Sequence, residues 1–209
     1  MSLGVLLDTE TTGINLKKND IWQIAGFILD GVEIIDEFDI KFQPFPGTTY
    51  DAGALEKTKM TIEDFDLFQS NEDGYREFIA VLTKHIDKFN KLDKCHLIAY
   101  NAKFDSDFIR AWFKKYHNNY YGAYFWSNNI DIMTLAGEFL KSIRPKMPNF
   151  KLETVYRVLC SIGLLEPLKS DNYHDAMFDI QVELAVYNLF RIENIRQTID
   201  SLKGIRDNV

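Results

Sequence analysis

The stretch Leu3-Gly4-Val5-Leu6-Leu7-Asp8-Thr9-Glu10-Thr11-Thr12-Gly13 decides how the rest of the chain is read. A short apolar run that passes into polar, turn-forming residues reads as a buried strand entering a turn. Successive side chains on a strand point to opposite faces, so Asp8 and Glu10 share a face and Thr9 takes the other. Two carboxylates held together repel unless positive charge separates them, and a hard divalent cation is the usual solution. Taken alone, the pair also fits an exposed acidic turn with Gly13 as its permissive backbone.

Moving outward, an apolar run over 21–29 ends in Asp30-Gly31, a hairpin signal. Beyond it Phe38, Ile40 and Phe42 alternate with Glu37, Asp39 and Lys41, the period of a half-buried strand. The chain therefore opens with three strands in antiparallel pairing. Tyr75, Phe78, Ile79, Leu82, Ile86 and Phe89 recur at helical spacing and predict one long amphipathic helix. A buried strand over 96–100 leads directly into a helix marked by Phe104, Phe108, Ile109, Trp112 and Phe113, the pattern of a parallel pairing. Further helices are predicted over 130–140, 151–162 and 175–190, with a loop over 144–149. The fold class is α/β, with a single mixed sheet of three antiparallel N-terminal strands followed by parallel strands, flanked by helices. One domain spanning 1–209 is expected, its core about 3–190 and a helical extension about 191–209.

Composition limits the function classes. Of 209 residues, 46% are hydrophobic and 26% charged, which excludes a disordered chain. No apolar run approaches the roughly 18 residues of a membrane span. No basic residue precedes Asp8, so no secretory signal is expected and a cytoplasmic setting is. Cys95 and Cys160 are too few for a disulfide framework, and their apolar neighbours suggest buried free thiols. The net charge of −7 argues at first against a phosphate-rich partner. The acidity is local, however: twelve acids face three lysines between Asp30 and Asp73, whereas five bases face only Glu153 between Lys141 and Arg157. Between Lys94 and Lys115 five bases face two acids. Such segregation permits an anionic substrate and equally describes a solvated face.

Two more acidic clusters follow. Asp105 lies just past the strand over 96–100, at the strand-to-helix junction that begins with Asn101. Ligands of open α/β sheets collect at the carboxyl ends of strands, where Asp8 and Glu10 also sit. Alone, Asp105 reads first as a dipole-stabilising acid in the first turn of a helix. His174 and Asp179 would fall roughly 140° apart on one continuous helix, so they converge only if His174 precedes the helix and Asp179 lies one turn inside it. Alone, His174 is also readable as a surface residue before a capped helix.

Taken in order, Asp8-Thr9-Glu10-Thr11-Thr12-Gly13, Asn101-Ala102-Lys103-Phe104-Asp105 and His174-Asp175-Ala176-Met177-Phe178-Asp179 resemble the three motifs of the DEDDh (DnaQ-like) 3′-to-5′ exonuclease family, of ribonuclease H-like fold. Asp131 is similar to a family aspartate that begins a helix before the third motif, and the likeness runs from about residue 3 to about 190. Tyr100 stands where the family often has His, which leaves the ligand set intact. The resemblance implies an enzyme that hydrolyses phosphodiesters at the 3′ end of single-stranded DNA or short RNA and releases nucleoside 5′-monophosphates. It implies two Mg²⁺ ions per site, with Mn²⁺ as substitute, held by Asp8, Glu10, Asp105 and Asp179, and His174 as general base. Thr11, Thr12, Asn101 and Phe104 would receive the terminal nucleotide, and Lys146 and Lys151 would touch phosphates of the strand. The implied partners are single-stranded nucleic acid 3′ ends, with a DNA polymerase as a further candidate and no membrane. The alternative is a catalytically weak nucleic-acid-binding or polymerase-docking module of the same fold.

Overall fold

The computed structural model describes residues 3–168 and 176–206, with side chains through residue 191. Strands β1 (Gly4–Thr11), β2 (Ile21–Asp30) and β3 (Glu33–Lys41) come first, followed by helix α1 (Ala52–Thr58). A 3₁₀ turn at Glu63–Leu67 leads to α2 (Asn71–His85), β4 (His96–Ala99) and α3 (Ala102–Lys115). The chain continues through α4 (Tyr121–Tyr124), β5 (Ile130–Asp131), α5 (Ile132–Phe139), α6 (Leu152–Ser161) and α7 (Ala176–Arg206).

The strands form one mixed sheet in the order β3-β2-β1-β4-β5. The β1–β2 and β2–β3 pairs are antiparallel, and the β1–β4 and β4–β5 pairs are parallel. This is the expected sheet. The hairpin turns at Gly31, whose φ of 63° lies in the left-handed region that glycine enters without steric cost. On β3, Phe38, Ile40 and Phe42 are buried as the alternation requires.

Helices cover both faces, so the sheet has two cores. On one face Val5 and Leu7 meet Phe78 and Leu82 of α2 and Phe108, Ile109 and Trp112 of α3. Phe42 stacks on Trp112 with ring centroids 4.5 Å apart. On the other face Leu6, Ala25 and Ile98 meet Ile132 and Ala136 of α5, Val155 and Leu159 of α6, and Ile180 and Val186 of α7. Side-chain alternation on β1 feeds both cores, and Asp8 and Thr9 continue the same alternation at its carboxyl end.

Several expectations are corrected. Helix α2 stops at His85, and Phe89 is exposed rather than on its buried face. Asp87 ends the repeat, because its carboxylate accepts from the Phe89 amide while its own amide donates to Asp93. The segment predicted as a helix over 130–140 begins as the short strand β5, and α5 starts only after Asp131 caps it. The loop over 144–149 contains a 3₁₀ turn at Arg144–Lys146. Helix α1 and the short α4 carry no strong apolar period and were not anticipated. Both cysteines are free, but only Cys95 is buried; Cys160 is half-buried. Among the described residues, no helix is long and apolar enough to cross a membrane.

Candidate active site

Parallel pairing brings the carboxyl ends of β1 and β4 to the same edge of the sheet, with Leu6 opposite Ile98. The β1–β2 register slips at this edge: β2 carries an extra residue, Trp22, opposite the step from Glu10 to Thr11. A bulge of this kind re-aims side chains beside a site. Asp8 and Glu10 point to the α7 side of β1, where Asp179 enters from the first turn of α7. One carboxylate oxygen from each of Asp8, Glu10 and Asp179 lies within 4.8 Å of the others. The three line an open cavity of ≈ 440 Å³ whose far wall is formed by Asp51, Gly53, Ala54, Lys57 and Thr58 around α1. Ile14 and Phe104 complete the rim, and both also line an adjoining hollow of ≈ 270 Å³ that reaches Asn101 and Lys103.

Asp105 stands apart from this trio. It is 2% exposed, and its Oδ1 accepts from both the Thr9 amide (3.1 Å) and the Thr9 hydroxyl (2.7 Å). Thr9 points to the opposite face from Asp8, so Asp105 approaches the strand end from the α3 side. Burial raises the Asp105 carboxyl to about 7, and the hydrogen bonds from Thr9 hold it back from rising further. Desolvation also raises Asp8 above the ordinary carboxylate range, helped by the neighbouring Asp105, Glu10 and Asp179. Such a site gains from a bound cation. Several converging carboxylate oxygens match the oxygen-only donor set of hard divalent ions, so the residues fit a divalent cation.

The sequence reading missed Glu183. It lies one turn beyond Asp179 on α7, is 2% exposed, and its carboxyl is raised by burial and by Asp8, Asp105 and Asp179. It also missed Lys57, since nothing in the local pattern revealed that α1 folds over the first motif.

The remaining predicted residues are placed as follows. Thr11 lines the cavity, and its hydroxyl donates to the Gly13 carbonyl at 2.8 Å. Thr12 is fully buried, its hydroxyl accepting from the Asp20 amide, so this side chain braces the turn and does not reach a ligand. Asn101 is an exposed residue in left-handed conformation (φ 68°) at the head of α3, and its amide donates to Asp131. Phe104 is half-buried against Phe108, with ring centroids 4.9 Å apart. Lys146 and Lys151 are exposed and lie outside the cavity wall. The Tyr100 hydroxyl donates to the Phe150 carbonyl at 2.6 Å, which ties the end of β4 to the approach to α6. His174 lies outside the described residues.

A mixed sheet carrying an acidic centre at the carboxyl end of its central strand defines the ribonuclease H-like exonuclease architecture. The chain belongs to the exonuclease family (RNase_T), whose family model matches residues 5–187. It is 28% identical to a DNA polymerase III PolC-type from Thermotoga petrophila over 94% of this chain and 13% of that protein. A PolC-type polymerase from Bacillus cereus is 26% identical over 85% of this chain and 10% of its own length. The chain thus spans only a small part of these relatives. Among solved structures, E. coli exonuclease I in complex with a dT13 oligonucleotide superposes with a TM-score of 0.72 at 18% identity, covering 95% of this chain and 43% of that one. The zinc-bound exonuclease I–ssDNA complex gives 0.73 at 18% identity, covering 98% and 43%.

Proposed function

We propose that residues 1–209 form a single exonuclease domain that removes nucleotides from the 3′ end of single-stranded nucleic acid in a divalent-metal-dependent reaction, releasing nucleoside 5′-monophosphates. The observation that carries the reading is the convergence of Asp8, Glu10 and Asp179 within 4.8 Å on the floor of an open cavity. That exonuclease I binds oligonucleotides on the same fold supports single-stranded DNA as a substrate class. The likeness to PolC-type polymerases supports a replication setting, with a polymerase as partner or as neighbouring sequence.

Asp8, Glu10 and Asp179 would hold two ions, with Asp105 offering the oxygen that Thr9 leaves free. When bound, such ions neutralise the phosphate, acidify a water and stabilise charge on the departing 3′ oxygen. His174 would accept the proton of the attacking water at an imidazole nitrogen. Phe104 and Ile14 present apolar surface to the terminal nucleotide, and the hollow toward Asn101 continues the track. The Thr11 backbone lies along the cavity, and Lys146 and Lys151 lie further out as contacts for more distant phosphates. A module that only binds nucleic acid gains nothing from several converging acids, which disfavours the non-catalytic alternative.

Digestion of matched 5′-labelled DNA and RNA oligonucleotides with Mg²⁺ or Mn²⁺ tests this reading. The expected result is a ladder shortening from the 3′ end, stopped by a 3′ block and abolished by chelator. Undiminished cleavage in chelator by metal-free protein, or equal cutting of circular single strands, would overturn it.

A further inference from the structure

We propose that Glu183 is a fifth carboxylate of the acidic centre, standing behind Asp8 and Asp179 and strengthening their hold on a divalent cation. The inference rests on the cation-centre reading above and extends it to a residue outside the three motifs.

Glu183 occupies a position that helix packing would give to an apolar side chain. Ile180 and Val186, three residues before and after it on α7, are both fully buried, as is Val182 beside it. A hydrocarbon there would complete the core at no electrostatic cost. Instead the chain buries a carboxyl, and its Oε2 has no hydrogen-bond partner. No ion pair to Glu183 occurs among the described residues. An unpartnered oxygen on a buried carboxyl is costly. The charges acting on it are Asp8, Asp105 and Asp179, with only the Tyr100 backbone amide in opposition. It lies four residues after Asp179 on one helix, so both side chains share the face turned to the end of β1. A divalent cation held by Asp8, Glu10 and Asp179 would supply compensation beyond the single Tyr100 amide. Glu183 is enclosed, so it acts as a positioning residue through the ligands in front of it and does not touch substrate.

The test is calorimetric titration of Mn²⁺ into the full chain, without nucleic acid, for the native protein and for Glu183→Gln, Glu183→Met and Asp8→Asn. Thermal unfolding of each in chelator accompanies it. The proposal expects both Glu183 variants to bind Mn²⁺ roughly 10- to 100-fold more weakly, the usual effect of losing a group behind metal ligands. It also expects the cation-free midpoint of Glu183→Gln, which keeps an acceptor for the Tyr100 amide, to be no lower than the native one, because no charge pair is broken. Asp8→Asn should lose Mn²⁺ binding. Native affinity in both Glu183 variants, with binding lost in Asp8→Asn, overturns the role of Glu183 and leaves the cation centre standing. A lower cation-free midpoint of Glu183→Gln with native affinity also overturns it, making Glu183 a packing residue. Native affinity in Asp8→Asn overturns the cation centre itself, and the role of Glu183 with it.

Discussion

Adjacent residues at the end of β1 treat their acids in opposite ways. On the α3 side, Thr9 meets Asp105 and satisfies one of its oxygens twice, through its amide and its hydroxyl. On the α7 side, Asp8 and Glu10 meet Asp179, with Glu183 close behind. The same strand thus builds one carboxylate that its neighbour on the strand orients and a group of carboxylates that converge on one another. The first arrangement fixes direction, and the second creates affinity for a cation.

The comparison breaks most severely with Asp8→Asn, which removes an acid from the converging group on the α7 side. Loss of detectable turnover and of Mn²⁺ binding is expected, and retention of either would show that the cluster is not the cation centre. His174→Ala separates proton transfer from cation binding. The rate constant kcat should fall roughly 10²- to 10⁴-fold while Mn²⁺ affinity stays native, as judged by single-turnover assays beside calorimetry. Thr9→Val acts on the satisfied side. It removes the hydroxyl bond to Asp105, so turnover should fall roughly tenfold and urea unfolding should show a loss of about 1–3 kcal/mol. If the two sides were interchangeable, this variant would weaken Mn²⁺ binding as much as Asp8→Asn.

Titration sharpens the same contrast. The folded carboxyl of Asp105 lies near 7, above its ordinary value of 3.8, so the folded state holds the proton more tightly than the unfolded one. Its contribution to stability is complete below about pH 4 and is lost as pH rises through about 7. In chelator, the melting temperature should fall between about pH 4 and pH 7, and Mn²⁺ should flatten that slope by taking the proton's place. A midpoint that rises with pH over this window would contradict the assignment. Asp36 supplies the opposite sign elsewhere in the molecule. Its hydrogen bond with His85 holds it down to about 2, so its contribution disappears only in stronger acid. The smallest effect is expected at Lys57, the basic residue on the cavity wall. Lys57→Met should raise KM roughly two- to fivefold with kcat unchanged and make binding less sensitive to salt, as for an exposed phosphate contact.

The sheet and the acids of β1 were legible because both depend on alternation along one strand. The apolar residues of 3–7 and the acids at 8 and 10 announce a face before any partner is known. Asp105 was legible in place but not in orientation, since nothing local says that Thr9 will capture one of its oxygens. Glu183 was not legible at all. On a helix whose apolar stripe is already marked by Met177, Ile180 and Leu184, a Glu reads as solvated, and its burial follows only once α7 packs across the sheet. The predicted helix through Phe89 failed for a related reason: an apolar period extends past the point where Asp87 redirects the backbone.

Gly13 sets the spacing between the first motif and α1. A Cβ at this position would lie 2.1 Å from Asp51 Oδ2 and 2.6 Å from Asn19 Cγ, and the Asp51 amide donates to the Thr12 carbonyl beside it. The wall carrying Lys57 and Thr58 therefore rests against the turn with no room for even one methyl group. The width of the mouth is calibrated by an absent side chain, so a Gly13→Ala chain would bear every acid of the centre behind an aperture of the wrong gauge.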